Sequence, residues 1–174
     1  QDSVPFHCAC LNGNTDAVDF LIKHCQADVN VADALGQTAL HLLLHYGNDS
    51  MVKHLVGLPQ TNVNAADKSG STVLHKACRA GFVDVVSLLV GLPHTDLNAQ
   101  DKDGKTALHV ACEQNQAEVI EVLCGSPGVD VNMADNRGNA ALDVGSRMGN
   151  VEAVRVLVGV AHLSVNIEDK YGCT

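Results

Sequence analysis

Asp33, Asp67, Asp101, Asp135 and Asp169 stand 34 residues apart, and four further registers keep the same step. Gly36, Gly70, Gly104, Gly138 and Gly172 form the second, and Asn30, Asn64, Asn98, Asn132 and Asn166 the third. His7, His41, His75 and His109 hold the fourth, with Asp143 in its fifth slot. Thr38, Thr72, Thr106 and Thr174 hold the fifth, broken by Val4 and Ala140. An internal period of about 20–50 residues is the signature of stacked repeat units rather than of one irregular core. Composition agrees: 46% of the 174 residues are hydrophobic but only 3% are aromatic, and Trp is absent. Thin layers packed on small aliphatic side chains suit that balance.

Each unit reads physically. A Thr precedes a short apolar stretch, as in Thr72-Val73-Leu74-His75-Lys76-Ala77-Cys78, and its hydroxyl suits a helix N-cap. The stretch closes at Gly13, Gly47, Gly81, Asn115 and Gly149, residues suited to the positive φ of a helix C-terminus. A second apolar helix follows, over 84–90 in the third unit and 151–158 in the fifth, then a break at Pro59, Pro93 and Pro127. Asp-x-x-Gly supplies a tight turn, with the Asp carboxylate accepting from backbone N–H groups.

The blocks Thr38-Ala39-Leu40-His41, Thr72-Val73-Leu74-His75 and Thr106-Ala107-Leu108-His109 resemble the ankyrin repeat signature, with Val4-Pro5-Phe6-His7 a weaker copy. The Asn and Asp-x-x-Gly registers match the rest of that motif. The period is one residue longer than the usual ~33, and the addition falls in the loop after the second helix. The resemblance covers the whole chain. It implies an α-rich repeat solenoid of stacked helix–turn–helix units with β-turn fingers. The expected domain is a single one over 1–174, with repeats at 4–37, 38–71, 72–105, 106–139 and 140–173 and a sixth starting at Thr174. Since Asp169-Lys170-Tyr171-Gly172-Cys173-Thr174 restarts the cycle in register, the expectation is a fragment of a longer array. Against that, the fifth signature is degraded and carries Gly145 inside a helix.

Candidate chemistry is weak. His7, Cys8 and Cys10 cluster in sequence, and Cys78 and Cys112 follow His75 and His109 by three residues, but no pair of CxxC motifs has zinc spacing. The resemblance implies that the repeating His bonds the neighbouring finger and the Thr cap. Cys10, Cys78 and Cys112 share a register where the family usually has Ala, and Cys there acts as a small hydrophobe. Most of the seven Cys are expected buried, in a reduced cytoplasmic or nuclear setting. Asn48-Asp49-Ser50 is a formal glycosylation sequon that reads better as a helix cap. No nucleophile–base pair and no phosphate loop stand out, so no enzyme activity, cofactor or metal is expected. Asn30, Asn64, Asn98, Asn132 and Asn166 match the finger-base Asn that asparaginyl hydroxylases modify in ankyrin repeats, and Asp28, Asp96 and Asp130 supply the acidic residue two positions upstream.

The net charge of −9 argues against nucleic acid as a partner, and no apolar run approaches a membrane span. The charges also separate by position. Second helices and their loops hold ten acids against three bases, whereas fingers and first helices hold ten against eight. In ankyrin arrays the latter line the concave face. Five of its acids are the repeating finger Asp, expected to be committed to backbone bonds, so the remainder is basic. The expectation is a monomeric protein-interaction scaffold that takes an acidic peptide or protein segment. Its contact residues would be Leu35, Leu42, Lys68, Lys76, Arg79, Lys102, Lys105, Val110, Arg137 and Arg147. A regulatory array within a larger kinase, channel or transcription regulator is the alternative. A reader of methylated lysine is disfavoured, because an aromatic cage would need Tyr46 and Tyr171, about four repeats apart.

Overall fold

A computed structural model of the chain describes residues 5–160, which divide between Val73 and Leu74 into two compact units. Val4, Asn166, Lys170, Tyr171 and the expected sixth repeat at Thr174 lie outside the described residues.

The first unit holds α1 (Pro5–Leu11), α2 (Thr15–Cys25), α3 (Ala39–Tyr46) and α4 (Asp49–Val56). α1 packs on α2 and α3 on α4, while α1 also packs on α3, so helix pairs stack side by side. Asn14 and Asn48 cap α2 and α4 through side-chain bonds from Ala17 N–H and Met51 N–H. The formal sequon is therefore a helix cap. Phe6, Leu43, Met51 and Leu55 are fully buried at the centre of the pairs.

The second unit holds all but the first residue of α5 (Val73–Ala80), then α6 (Val83–Val90), α7 (Ala107–Glu113), α8 (Ala117–Gly125), α9 (Ala141–Met148) and α10 (Val151–Val158). First helix packs on first helix (α7 on α9) and second on second (α6 on α8, α8 on α10). Leu89, Ile120, Leu123 and Leu157 are buried between the second helices. Each unit is thus a stack of helix–turn–helix repeats of the α-rich solenoid class. The fingers between pairs are turns rather than strands, with isolated antiparallel bridges at Ala66–Thr72 and Ala134–Ala140.

The expected helix ends hold. Gly13, Gly47, Gly81, Asn115 and Gly149 all take positive φ. The extra residue of each period is absorbed in short turns: Leu92 N–H donates to Leu89 O and Thr95 N–H to Leu92 O, and Ser126 and Val129 repeat the pattern one unit on. The first repeat departs. It lacks the Gly-x-Pro break, so α2 runs 11 residues against 8 in α4 and stops at Gln26, a non-glycine residue at φ 52°.

Candidate functional site

The finger turns and the last turns of the first helices carry the candidate surface. Each finger is locked by its Asp. Asp33 Oδ1 accepts from Leu35 and Gln37 N–H, both at 2.8 Å. Asp67, Asp101 and Asp135 accept in the same pattern, from Ser69 and Ser71, from Asp103 and Lys105, and from Arg137 and Asn139. Burial alone would raise the Asp135 carboxyl, but the bonds from Asn139 and Arg137 outweigh it and hold the group below the usual carboxylate value. These acids are spent inside the turn.

Successive fingers bond to one another. In the first unit Lys68 N–H donates to Leu35 O at 2.9 Å. In the second, Asn136 N–H donates to Asp103 O, and its Nδ2 to Lys102 O at 2.9 Å. Gln100 Nε2 bridges Gly104 O and Ala134 O. Gly104 belongs here on two grounds: φ is +77°, and a Cβ would sit 2.5 Å from Asn136 N.

The buried histidines fasten helices to fingers. Thr38 N–H donates to His41 Nδ1, so that nitrogen carries a lone pair, and Nε2 then donates to Ser71 O at 3.1 Å. His109 does the same between Thr106 N–H and Asn139 O at 3.0 Å, and His75 Nε2 reaches Lys105 O at 2.9 Å. His41 and His109 are therefore neutral, with the proton on Nε2. Burial is the main cause holding the His109 pKa below its ordinary value. His7 differs: its Nε2 meets Val31 O, 24 positions on rather than 30. In the fifth repeat Asp143 Oδ2 accepts from Ala140 N–H at 2.7 Å, which keeps the cap but supplies no donor for a carbonyl.

The finger-base asparagines make rungs. Asn30 Nδ2 donates to Gln60 O and its Oδ1 accepts from Asn62 N–H; Asn98 pairs identically with Gly128 O and Asp130 N–H. Asn64 and Asn132 are half-buried and also have partners. Asp28, Asp96 and Asp130 accept from the N–H two residues on, closing a local turn.

The expected contact residues sort unevenly. Leu35 is 61% exposed, and Lys68, Arg79, Lys102, Arg137 and Arg147 are exposed. Leu42 and Lys76 are half-buried. Val110 is a correction: it is fully buried, as is Val144 in the same register, because α7 lies against α9 there. Lys105 is not a loose cation either. Its Nζ meets Glu113 Oε1 at 2.9 Å and Oε2 at 3.1 Å, with both side chains three-quarters or more buried. Arg147 Nη1 donates to Asn139 Oδ1 at 3.1 Å and keeps its charge.

The expectation that most Cys are buried is only half met. Cys10, Cys78 and Cys112 are buried, but Cys8 and Cys25 are exposed, Cys124 is intermediate, and Cys173 lies outside the described residues. Cys8 and Cys25 fall outside the apolar register that the other three share. Burial pushes the Cys10 and Cys112 thiols up to about 12 and Cys124 up to about 11; Cys78 is raised by burial and then by the nearby Cys112. No helix among the described residues is long and apolar enough to cross a membrane.

Comparison with protein families completes the picture. A family model described as ankyrin repeats (3 copies) matches residues 6–101, 44–135 and 89–170. A comparison with curated proteins finds no match.

Proposed function

The chain belongs to the ankyrin repeat family, whose repeats generally act as non-catalytic protein–protein interaction modules, and we propose that it binds an acidic peptide or protein segment through its fingers and first helices. One observation carries this reading. In the second unit Asp101 and Asp135 are both committed to their own turns, whereas Lys102 and Arg137, at the tips of the same turns, are exposed. Arg79 and Arg147 add exposed cations at the ends of α5 and α9. Asp103 is the exposed acid among them, and Asp143 is engaged with Ala140. Charge complementarity of this kind sets on-rate and specificity more than raw affinity.

The test is a pulldown with the wild type and with a triple variant, Arg79→Glu, Lys102→Glu and Arg137→Glu, read by mass spectrometry. The variant is expected to lose the partners, and the wild-type complexes to weaken with salt. Capture of the same proteins with unchanged salt dependence overturns the reading.

A monomeric array in the cytoplasm or nucleus belongs to the same proposal; the six unpaired cysteines among the described residues suit a reducing compartment. So does hydroxylation at one of Asn30, Asn64, Asn98, Asn132 or Asn166. The paired amide of Asn98 requires the finger base to open first. Intact mass after co-expression with an asparaginyl hydroxylase, showing no added oxygen, removes that part.

A further inference from the structure

We propose that the second unit selects a bipartite acidic segment, two carboxylate-bearing clusters flanking an uncharged stretch, over a continuous acidic tract; this rests on the acidic-partner reading above. In two repeats of this unit the last turn of the first helix meets the end of its finger directly. In the fourth repeat they are Glu113 and Lys105, and in the fifth Arg147 and Asn139. The polarity is reversed between them. Glu113 cancels Lys105 through both carboxylate oxygens, leaving a neutral pair largely out of water. Arg147 leans on a neutral amide and stays a cation. Arg79, in the helix register of Glu113 and Arg147, is exposed and makes no ion pair among the described residues.

Along this row the surface reads positive, neutral, positive. Neighbouring helices pack about 8–10 Å apart, so two repeat steps separate Arg79 from Arg147 by about 16–20 Å. An extended segment rises about 3.3 Å per residue, so about five or six residues span the gap. At the middle position of this row an acid would meet the Glu113 carboxylate, because the Lys105 ammonium is already paired; the finger-tip cations Lys102 and Arg137 lie outside the row. Glu113 is thus a specificity-determining residue that sets where the ligand carries its charge.

The test uses two synthetic peptides of equal length and equal Glu content, titrated into the whole chain by fluorescence anisotropy at low salt. One carries its Glu in two pairs separated by about four uncharged residues, which puts the pair centres about 20 Å apart, and the other carries them contiguously. The bipartite peptide is expected to bind about threefold tighter or better. Glu113→Gln, which keeps shape and frees Lys105, is expected to raise affinity for the contiguous peptide and erase the preference. Arg147→Gln, which leaves the Lys105–Glu113 pair intact, is expected to erase it by weakening the bipartite peptide. Equal binding of both peptides by the wild type, or an unchanged preference in either folded variant, overturns the inference. Binding of neither peptide defeats the acidic-partner reading itself.

Discussion

His109 donates from Nε2 to the backbone carbonyl of Asn139 at 3.0 Å while its Nδ1 accepts from Thr106 N–H, so one neutral ring ties a helix start to the next finger. A doubly protonated ring cannot accept from Thr106 N–H, and the bond set is lost on protonation.

Acid should therefore weaken the fold in two windows. His109 has a pKa below its ordinary 6.5 in the folded chain, so the unfolded chain binds more protons between the two values. The stability contributed by the neutral ring is complete above 6.5 and is lost as pH falls from there toward the folded value. Asp135 is lowered from 3.8, so its contribution persists above 3.8 and is lost below it. Urea midpoints between pH 7.5 and 5 are expected to fall. His109→Phe, which removes the titrating group, should flatten part of that slope and lower stability by about 2–3 kcal/mol, because Thr106 N–H and Asn139 C=O lose their partner.

Two glycines with similar φ should differ in cost. Gly149 closes α9 at φ +72° with nothing within 4 Å of an added Cβ, so Gly149→Ala should cost about 1 kcal/mol from the backbone alone. Gly104→Ala adds a contact at 2.5 Å with Asn136 N and should cost at least about twice as much. Chemical denaturation of the two variants decides it; equal losses would contradict the finger packing.

Gly145→Ala should go the other way. Gly145 lies inside α9, and its added Cβ would meet Val154, Ala153 and Cys112 at 3.6–3.8 Å, ordinary contact distances. Relief of the glycine entropy cost predicts a gain of about 0.5–1 kcal/mol, read as a higher melting temperature.

Thiol chemistry should follow exposure. Under native conditions a thiol reagent is expected to label Cys8 and Cys25 first, and to leave Cys10, Cys78 and Cys112 untouched until the chain unfolds. Peptide mapping after a timed pulse gives the order; early labelling of Cys112 would contradict its burial.

The periodic part of this molecule was legible from residues alone. The helix over 151–158 falls where its apolar run and flanking glycines put it, and Asn115 adopts the left-handed conformation its slot demands. The finger Asp bonds were readable too, since an Asx turn is local. What the period concealed lies off it. Val110 sits in a helix too thinly layered to leave it outside, and burial there depends on α9, not on α7's own pattern. The Lys105–Glu113 pair joins two positions eight residues apart whose partners in other repeats carry different chemistry, so no register announced it. The long α2 follows from a missing proline, a signal present in the sequence but readable only as an absence.

In the histidine bonds the acceptor is a main-chain carbonyl, which any residue supplies. Ser71, Lys105 and Asn139 fill that place with three unrelated side chains, and the same bond forms each time. Mutation can therefore change the side chain at these largely buried positions while the histidine bond stays as it was. The place that receives the histidine is thus indifferent to its own side chain, and the recurring ring holds each finger regardless of what the finger carries there.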